Sequence, residues 1–421
     1  MRWIILLSLV LILVFISGCF GTICQSDADC PEGNGCEGGL CVYAEGDDDD
    51  DEPGEYYNNG DDDDDEPTES DIYWESMNGP PGGHMNQLIQ SPIDADVLYA
   101  LPSTRIVHKT DDKGETWEQI EELIDTSISS IAAHEDNLFA CGGNVYYYNE
   151  LDGLVEISNE ACDNLFISND KLFITEGENE LSDIKISYVD LSSGNYNFIE
   201  ITPSISELNE LEVPETDEFQ YHISFKDIVS IEDKILTIIE VFIDGSGEET
   251  NSVLYNSEDL GNTWDHIDFV LDERIMLERI IQDPNDENHL LLALRQKMVR
   301  DTEATGYEYL RESVDAGETW DYLTTELTLE IDGILDIGIT ADNYYFLCTY
   351  DDLIIKYDGQ DYEEVDMPFI DDYEEMNFCI DRILFDLNNP DIIYAKTGET
   401  WALGLVKSED DMQTWNKMDS G

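Results

Sequence analysis

Positive charge is scarce in this sequence. Its 421 residues include 19 lysines and arginines against 98 aspartates and glutamates, which gives a formal net charge of −79. Nucleic acids and anionic membrane surfaces bind to positively charged patches. We therefore expect no nucleic-acid partner. Apolar residues still make up 41% of the chain, which is enough for a folded core, so global disorder is not expected.

The motifs of several common active sites are also missing. The six histidines are scattered without metal-ligand spacing. The sequence contains no G-x-S-x-G elbow, no phosphate-binding loop and no dinucleotide-binding fingerprint. We therefore expect no metal centre and no cofactor.

One apolar run lies at the N-terminus, from Ile4 to Ile16, and is followed by Ser-Gly-Cys19. Its length is short for a membrane span but typical of a secretory signal. Ile-Ser-Gly-Cys resembles a bacterial lipobox, which implies a signal peptide over residues 1–18 and lipidation of Cys19. The alternative is an ordinary signal peptide with Cys19 as a free thiol. The lipobox interpretation predicts an exported lipoprotein, anchored by acyl chains to a membrane at the cell surface or outer membrane.

Residues 19–45 form a short segment with four cysteines, Cys24, Cys30, Cys36 and Cys41. In an exported chain this spacing predicts a small collar with two disulfides, for which three connectivities remain open. The segment resembles the Cys-rich modules that follow lipoboxes in some bacterial surface proteins. Zinc binding is the alternative, although C-x-x-C pairs are lacking and no histidine is near.

Residues 46–70 are an acidic segment with two blocks of five aspartates, each followed by Glu-Pro. Blocks of like charge repel one another and stay extended and solvated. We therefore predict a disordered linker that holds the next domain away from the membrane. The alternative is weak association with Ca²⁺, or with a cationic partner, through the clustered carboxylates.

The remaining residues, 71–421, carry a repeated pattern, S/T-x-D-x-G-x-T-W. Its aspartate and hydroxyl group can accept backbone N–H groups inside a tight turn. Its glycine supplies a positive φ, and its tryptophan buries a large ring against the adjacent sheet. The four copies lie at Thr110–Trp117, Ser257–Trp264, Ser313–Trp320 and, with Met412 in place of glycine, Ser408–Trp415. The predicted structural residues are Asp112, Gly114, Trp117, Asp259, Gly261, Trp264, Asp315, Gly317, Trp320, Asp410 and Trp415.

This pattern resembles the Asp-box (BNR) repeat of sialidases, sortilin-type receptors, xyloglucanases and photosystem-assembly propellers. The intervals between its four tryptophans are near three, one and two times a repeat of about fifty residues. They place the motif in units 1, 4, 5 and 7 of a seven-unit array, and strand-like runs fill the other units. We predict an all-β fold over residues 71–421, a seven-bladed β-propeller with four-stranded blades. The resemblance implies that the motif turns are structural and lie away from any active site.

The four cysteines of the propeller test this register. Cys141 and Cys348 end the second strand of their units, whereas Cys162 and Cys379 lie near the start of the next unit. Those places lie on the same face of adjacent blades. We therefore predict the disulfides Cys141–Cys162 and Cys348–Cys379, with independent buried thiols as the alternative.

The loops opposite the motif turns are the expected binding surface, because loops on a rigid scaffold commonly carry binding sites. The longest of these loops belong to units 3 to 5, where several of the scarce basic residues also lie. We predict a patch for an anion or a sugar, formed by Tyr221, His222, Arg295, Lys297, Arg300 and Tyr307. The alternative is that the basic groups neutralise neighbouring carboxylates, and Arg295 lies in a strand-like run.

These features favour a lipid-anchored cell-surface binding or scaffold protein with a protein or carbohydrate partner. The alternatives are a glycoside hydrolase that uses the same face and, as the photosystem-assembly resemblance implies, an assembly factor for a membrane complex. Sialidases carry an early aromatic-Arg-Ile-Pro motif, and the nearest match, around Arg105, lacks the proline and is predicted to lie in a strand. Because 98 acidic residues supply suitably spaced carboxylates by accident, no catalytic residue is assigned.

Overall fold

A small β-hairpin and a ring of seven β-sheets make up the part of the chain that the computed structural model describes. The described residues are 34–37, 40–43, 80, 85–124, 126–177, 183–208, 211, 221–243, 249–269, 275–296, 309–323, 331, 333–340, 344–349, 353–358, 362–365, 380–397 and 404–418. One compact unit, Phe20–Met77, contains the hairpin of β1 (Asn34–Glu37) and β2 (Leu40–Tyr43), with Cys36 opposite Cys41. Cys24 and Cys30 lie outside the described residues, so the collar disulfides stay a prediction.

The other unit holds seven antiparallel sheets, and each sheet consists of four strands that are consecutive in sequence. Blade 1 consists of β3 (Met85–Gln90), β4 (Leu98–Pro102), β5 (His108–Thr110) and β6 (Glu118–Gln119). Blade 2 consists of β7 (Ser130–His134), β8 (Asn137–Cys141), β9 (Val145–Asn149) and β10 (Gly153–Ser158). Blade 3 consists of β11 (Asn164–Ser168), β12 (Lys171–Glu176), β13 (Lys185–Asp190) and β14 (Ile199–Glu200). Short 3-10 turns at Glu121–Leu123 and Leu191–Ser193 are the helical elements of the described residues.

Blades 4 to 7 follow the same order. Blade 4 consists of β15 (Tyr221–Ile231), β16 (Lys234–Ile243), β17 (Glu249–Ser257) and β18 (Asp265–His266), and blade 5 of β19 (Ile275–Asp283), β20 (Asp286–Gln296), β21 (Leu310–Ser313) and β22 (Asp321–Tyr322). Blade 6 consists of β23 (Ile334–Ile339), β24 (Tyr345–Thr349), β25 (Ile354–Tyr357) and β26 (Tyr362–Val365), and blade 7 of β27 (Ile380–Phe385), β28 (Ile393–Thr397), β29 (Leu405–Ser408) and β30 (Asn416–Lys417). The seven-bladed propeller predicted from the sequence is confirmed.

The second strand of each blade forms the core. In blade 5 the run Leu290–Leu294 is buried at every position, and in blade 6 all five residues of β24 are buried. A strand covered by a neighbouring blade on both faces has no solvent side, so its sequence is continuously apolar rather than alternating. This burial is the main stabilising term of the ring, at about 25 cal/mol per Å² of apolar surface.

Among the described strands, none of blade 1 comes from blade 7, so side-chain contacts close the ring. The first strands form the inner circle, and β27 of blade 7 contacts β3 of blade 1. Lys113 of blade 1 forms a 2.6 Å ion pair with the fully buried carboxylate of Asp386 in blade 7. Met85 and Leu88 share an apolar cluster with Tyr394 and Met418. Lys407 of blade 7 also lies 3.6 Å from Glu115 of blade 1, and Lys396 Nζ donates to Asn86 O at 3.2 Å. Apolar packing and several polar contacts of lysine side chains therefore join the two ends of the propeller.

Two turns of each blade lie together at one end of the ring. In blade 4 the backbone N–H of Leu260, in the turn between the third and fourth strands, donates to Asp233 O in the turn between the first two strands, at 2.8 Å. The equivalent bonds in blades 1, 5 and 7 are 2.9, 2.9 and 3.1 Å long. We call this end, Ile231–Lys234 and Ser257–Trp264 in blade 4, the turn face. The opposite end, at Tyr221 and Ile243 in the same blade, is the loop face.

The repeated motif makes the same hydrogen bonds in all four copies. In blade 5, Thr319 donates its backbone N–H to Asp315 Oδ1 at 2.8 Å and its hydroxyl to Asp315 Oδ2 at 2.5 Å. The Ser313 hydroxyl donates to Asp315 Oδ1 at 2.8 Å and accepts the Gly317 N–H at 2.8 Å. Each aspartate therefore closes one turn. Burial raises the pKa of these four carboxyl groups, but the combined hydrogen bonds of the turns outweigh it and hold the pKa of Asp112, Asp259, Asp315 and Asp410 below its usual range.

Met412 occupies the glycine position of the fourth motif. Its φ is +66°, in the left-handed region where Gly317 has a φ of +82°. A Cβ on Gly317 would lie 2.8 Å from Leu236 of the preceding blade, so that blade has no room for a side chain. In blade 7 the Met412 side chain is itself buried, in a cluster with Phe346 and Ile354 of the preceding blade. The methionine therefore fills space that a neighbouring residue fills in other blades.

Cys141 and Cys162 form a disulfide with a Cα–Cα distance of 5.7 Å, which links blade 2 to the residues just before β11 of blade 3. The sequence register predicted this pair. Cys348 is buried in β24. Its predicted partner, Cys379, lies outside the described residues, so the second disulfide stays a prediction.

The prediction that Arg105 lies in a strand is wrong. Arg105 lies in the connection between β4 and β5, with a positive φ of 62°. Its backbone N–H donates to Pro102 O at 2.9 Å, which closes a turn before β5 begins at His108. Ile106 and Val107 are β-branched residues of the kind that strands favour, but the turn delays the start of β5 until His108.

Candidate functional site

A cavity of about 330 Å³ opens among blades 3, 4 and 5 at the loop face. Its position follows from strand direction: Asn164 begins β11, Ser224 lies near the start of β15, and Arg295 lies near the end of β20. The strands β15, β16, β19 and β20 have nine to eleven residues each, whereas the first two strands of the other blades have five or six. The cavity is lined by Asn164, Ser224, Phe225, Lys226, Glu240, Phe242, Glu278 and Arg295.

Four charged side chains in the cavity alternate in sign, and we call them the charge ring: Lys226, Glu240, Glu278 and Arg295. Lys226 Nζ lies 2.7 Å from Glu278 Oε2 and 3.1 Å from Glu240 Oε2. Arg295 Nε donates to Glu278 Oε2, and its Nη2 lies 3.8 Å from Glu240 Oε1. Glu240 and Glu278 therefore each lie between two cations, and the ring joins blade 4 to blade 5.

β-Bulges aim two of these side chains at the cavity. The ladder between β15 and β16 skips Lys226, and the ladder between β19 and β20 skips Glu278. A bulged residue is left out of the pairing, and the strand bends at that point. The same irregularity in two adjacent inner strands brings the two side chains together.

The ring favours the ionised forms of Lys226 and Glu278. Burial alone would lower the pKa of Lys226, but the charges of Glu240 and Glu278 outweigh burial and raise it. Burial alone would raise the pKa of Glu278, but the charges of Lys226 and Arg295 outweigh burial and hold that pKa below its usual range. A carboxylate with a lowered pKa is a poor proton donor near neutral pH.

A second charged series follows the inner strands beneath the cavity, and we call it the inner-strand ladder: Asp227, Arg279, Asp336 and Arg382. Arg279 Nε lies 2.9 Å from Asp336 Oδ1 and 3.8 Å from Asp227 Oδ2. Arg382 Nη1 lies 3.9 Å from Asp336 Oδ1. One member comes from each of blades 4 to 7, and the signs alternate around the ring.

The two acids of the ladder also accept backbone hydrogen bonds from the next blade. Asp227 Oδ2 accepts the Ile280 N–H at 3.2 Å, and Asp336 Oδ2 accepts the Ile383 N–H at 2.9 Å. Asp336 is only 1% exposed. Burial raises its pKa to about 6, although the charge of Arg279 opposes that shift. Burial likewise raises the pKa of Asp227.

The structure describes only part of the patch predicted from the sequence. His222 is exposed near the start of β15, at the loop face, whereas only the backbone of Tyr221 is described. Arg295 lines the cavity but is 2% exposed and paired with Glu278. Lys297, Arg300 and Tyr307 lie outside the described residues, so their part in a binding patch stays a prediction.

Sequence reasoning missed Lys226, Glu240 and Glu278. These residues lie in long strands and belong to no motif, and their charges meet only because adjacent blades bulge at equivalent places. A weak signal did exist for the inner-strand ladder. Asp227, Arg279, Asp336 and Arg382 each directly precede an isoleucine at the same point of the repeat, so alignment of the units would have revealed the alternation of charge.

Within the described ranges, no group of three or more histidine, cysteine or acidic side chains has a geometry that could hold a metal ion. The carboxylates of the charge ring are paired with cations instead. The described ranges also include no helix with the length and apolarity needed to cross a membrane.

No protein-family model matches the chain, and no curated protein matches it by sequence. Its fold is similar to that of solved propellers. The structure of YCF48 bound to D1 peptide matches with a TM-score of 0.52 and 15% identity, over 81% of this chain and 96% of that one. YCF48 from Cyanidioschyzon merolae matches with a TM-score of 0.51 and 13% identity, over 80% and 98% of the two chains. At these identities the likeness is one of fold.

Proposed function

We propose that this protein is an exported binding protein, tethered to a membrane by lipid at Cys19, that holds a protein partner on its loop face. The observation that carries the proposal is the cavity at that face, where polar side chains from three blades converge. Such convergence of a few polar groups in a concave site is typical of ligand sites. In this proposal residues 19–45 form the collar and residues 46–70 form the linker that holds the propeller, residues 71–421, away from the membrane.

A peptide segment of a protein is the favoured class of partner. YCF48, which has the same fold, has been solved bound to a D1 peptide. The net charge of −79 favours a partner with a basic surface, because opposite fields accelerate encounter. An assembly role for a membrane complex is one form that such binding can take, and a carbohydrate partner is the competing class.

The chemistry of the cavity favours binding over glycoside hydrolysis. A hydrolase needs one carboxylic acid that keeps its proton near neutral pH and a second, ionised carboxylate. Glu240 and Glu278 are both paired with Lys226, and the pKa of Glu278 is lowered. Neither the pairing nor the direction of that pKa shift suits a general acid, so we propose no catalytic activity.

Photo-crosslinking in the native cells tests the binding face. A photoreactive residue is introduced at His222, which is exposed at the loop face, and in a matched control at Leu387, which is 58% exposed in the turn between β27 and β28. We expect a discrete protein adduct from the His222 position and none from the Leu387 position. Adducts from Leu387 alone would place the binding surface on the turn face.

The lipid anchor has a separate test. Incorporation of a labelled fatty acid should occur in the full chain and be abolished by Cys19→Ser, with Cys348→Ser as the control that removes a different cysteine. Label that persists in the Cys19→Ser chain would contradict the anchor without touching the proposed binding face.

A further inference from the structure

The charge ring carries hydrogen-bonding capacity that it does not use within the described residues. A lysine ammonium has three donors, and the two contacts of Lys226 go to Glu278 Oε2 and Glu240 Oε2. Glu278 Oε2 receives both Lys226 and Arg295, which leaves Glu278 Oε1 without a contact in the described part of the chain. Glu240 Oε1 lies 3.8 Å from Arg295, too far for a hydrogen bond. One N–H donor of Lys226 and the Oε1 atoms of Glu240 and Glu278 therefore remain available for a ligand.

Two neutral polar groups line the same cavity. The amide of Asn164 and the hydroxyl of Ser224 make no side-chain hydrogen bond to other described residues, although both residues form part of the cavity wall. Neither group is among the buried polar atoms that lack a hydrogen-bond partner, so both are open to solvent or to a ligand. Phe242 adds an apolar surface beside them. The cavity thus offers separate groups for a positive and for a negative atom of one ligand.

The balance of charge selects the class of ligand. The ring contains two cations and two anions that balance one another, so a ligand with a net charge would leave an uncompensated charge in a largely buried site. A zwitterion satisfies both signs at once. The cavity, at about 330 Å³, lies at the small end of the range of ligand sites, roughly 300–1,000 Å³, which fits a small molecule rather than a folded domain.

We propose that the cavity binds a small zwitterion of the α-amino-acid class. Lys226 binds the ligand carboxylate with its remaining donor, and Glu240 and Glu278 bind the ammonium group through their Oε1 atoms. Asn164 and Ser224 complete the polar contacts, and Phe242 contacts the ligand carbon atoms. This inference rests on the proposed binding role of the loop face and adds a small-molecule site to it.

Calorimetric titration of the full-length protein with each free amino acid tests the proposal. At least one should bind, and its N-acetyl and its amide derivatives, which each lack one charge, should bind at least about tenfold more weakly. Tenfold is about 1.4 kcal/mol, near the value of one hydrogen bond to a charged group.

Variants locate the site. Asn164→Ala and Ser224→Ala should each weaken binding by about three- to tenfold with unchanged thermal stability, because neither side chain bonds to other described residues. Lys226→Met should abolish binding. Lys234→Met is the matched control, since Lys234 belongs to the same blade but pairs with Glu258 at the turn face, at 2.9 Å. That control should bind as the parent protein does.

Three results would overturn the proposal: no amino acid binds at millimolar concentration, a neutral monosaccharide binds when no amino acid does, or removal of either charge from the ligand has no effect. Failure of the proposed function looks different. A protein crosslinked from His222 in the absence of amino-acid binding would contradict only the zwitterion site. Amino-acid binding without any crosslinked protein would contradict only the protein-partner proposal.

Discussion

On the turn face, four blades repeat one local device, in which an aspartate closes a turn through hydrogen bonds to residues at most four positions away in sequence. On the loop face of blades 4 and 5, Lys226 meets Glu278 across a sequence separation of 52 residues. At the equivalent bulges of the described strands in blades 1, 6 and 7, the skipped residues are Asn86, Leu335 and Asp381, so the pair does not recur there. The turn face therefore depends on local sequence, and the loop face on how blades pack. We infer that repetition builds the scaffold and that departure from repetition marks the site.

The two regions also use aspartate in opposite ways. Burial tends to raise the pKa of a turn aspartate such as Asp315, but the hydrogen bonds that its turn makes to the ionised form outweigh burial and lower that pKa. Asp336 of the inner-strand ladder has a raised pKa, because burial penalises its charge. The same residue type thus stabilises the turns when ionised and costs stability when ionised in the ladder.

The largest expected effect comes from removing the cation at the centre of the inner-strand ladder. Arg279→Met leaves Asp336 and Asp227 buried without their nearest cation, and breaking a buried ion pair from one side costs about 3–5 kcal/mol. Urea unfolding measures the change. Arg105→Met, at an exposed arginine, is the control and should stay within about 0.5 kcal/mol of the parent. Equal stability of both variants would show that the ladder contributes nothing.

A pH series distinguishes the two kinds of aspartate. Because the folded pKa of Asp336, about 6, exceeds the usual value, the folded state binds an extra proton between about pH 4 and pH 6. The contribution of Asp336 to stability is therefore largest in acid and declines as pH rises through that window. Between pH 4 and pH 7 the parent should lose about 1–3 kcal/mol relative to Asp336→Asn. A parallel course of the two stability curves would contradict the raised pKa.

The turn aspartates should respond with the opposite sign. Their folded pKa lies below the usual value, so their stabilisation is present above about pH 4 and is lost as pH falls through the folded pKa. The stability of the parent should therefore decline below pH 4, and Asp315→Asn should decline less steeply. Measurement in high salt reduces the background repulsion of the net charge in both proteins.

Met412→Gly tests whether the fourth motif has adapted to its blade. Glycine relieves a positive φ worth about 1 kcal/mol, but it removes a buried methionine, for which truncation costs about 2–5 kcal/mol. We expect a net loss of about 1–3 kcal/mol by thermal unfolding. A more stable Met412→Gly protein would mean that the methionine replaced the motif glycine without gaining a packing role.

The smallest effect is expected from a single turn. Asp315→Ala removes the acceptor of the Thr319 N–H and hydroxyl and should cost about 1–2 kcal/mol, with the cavity and its ligand affinity unchanged. Glu318→Ala, at an exposed position of the same turn, is the control. A loss of loop-face binding in Asp315→Ala would contradict the claim that the turn face and the loop face act independently.

The sequence predicted the scaffold well and the site poorly, for a physical reason. Motif spacing located Asp112, Asp259, Asp315 and Asp410, because each turn is specified within eight residues. The same register joined Cys141 to Cys162. Glu240 and Glu278 could not be found in this way, because their role exists only after two blades pack together. Arg295 was noticed for its charge, but only the structure reveals its buried carboxylate partner.

Hydrogen–deuterium exchange on the full chain, with and without the partner captured from His222, tests the central claim most directly. We expect added protection at the loop-face ends of β15 and β16, in peptides covering 221–226 and 240–243, and unchanged exchange in the turn at Ser313–Trp320. Protection confined to the motif turns, with 221–226 and 240–243 unchanged, would contradict the assignment of binding to the loop face.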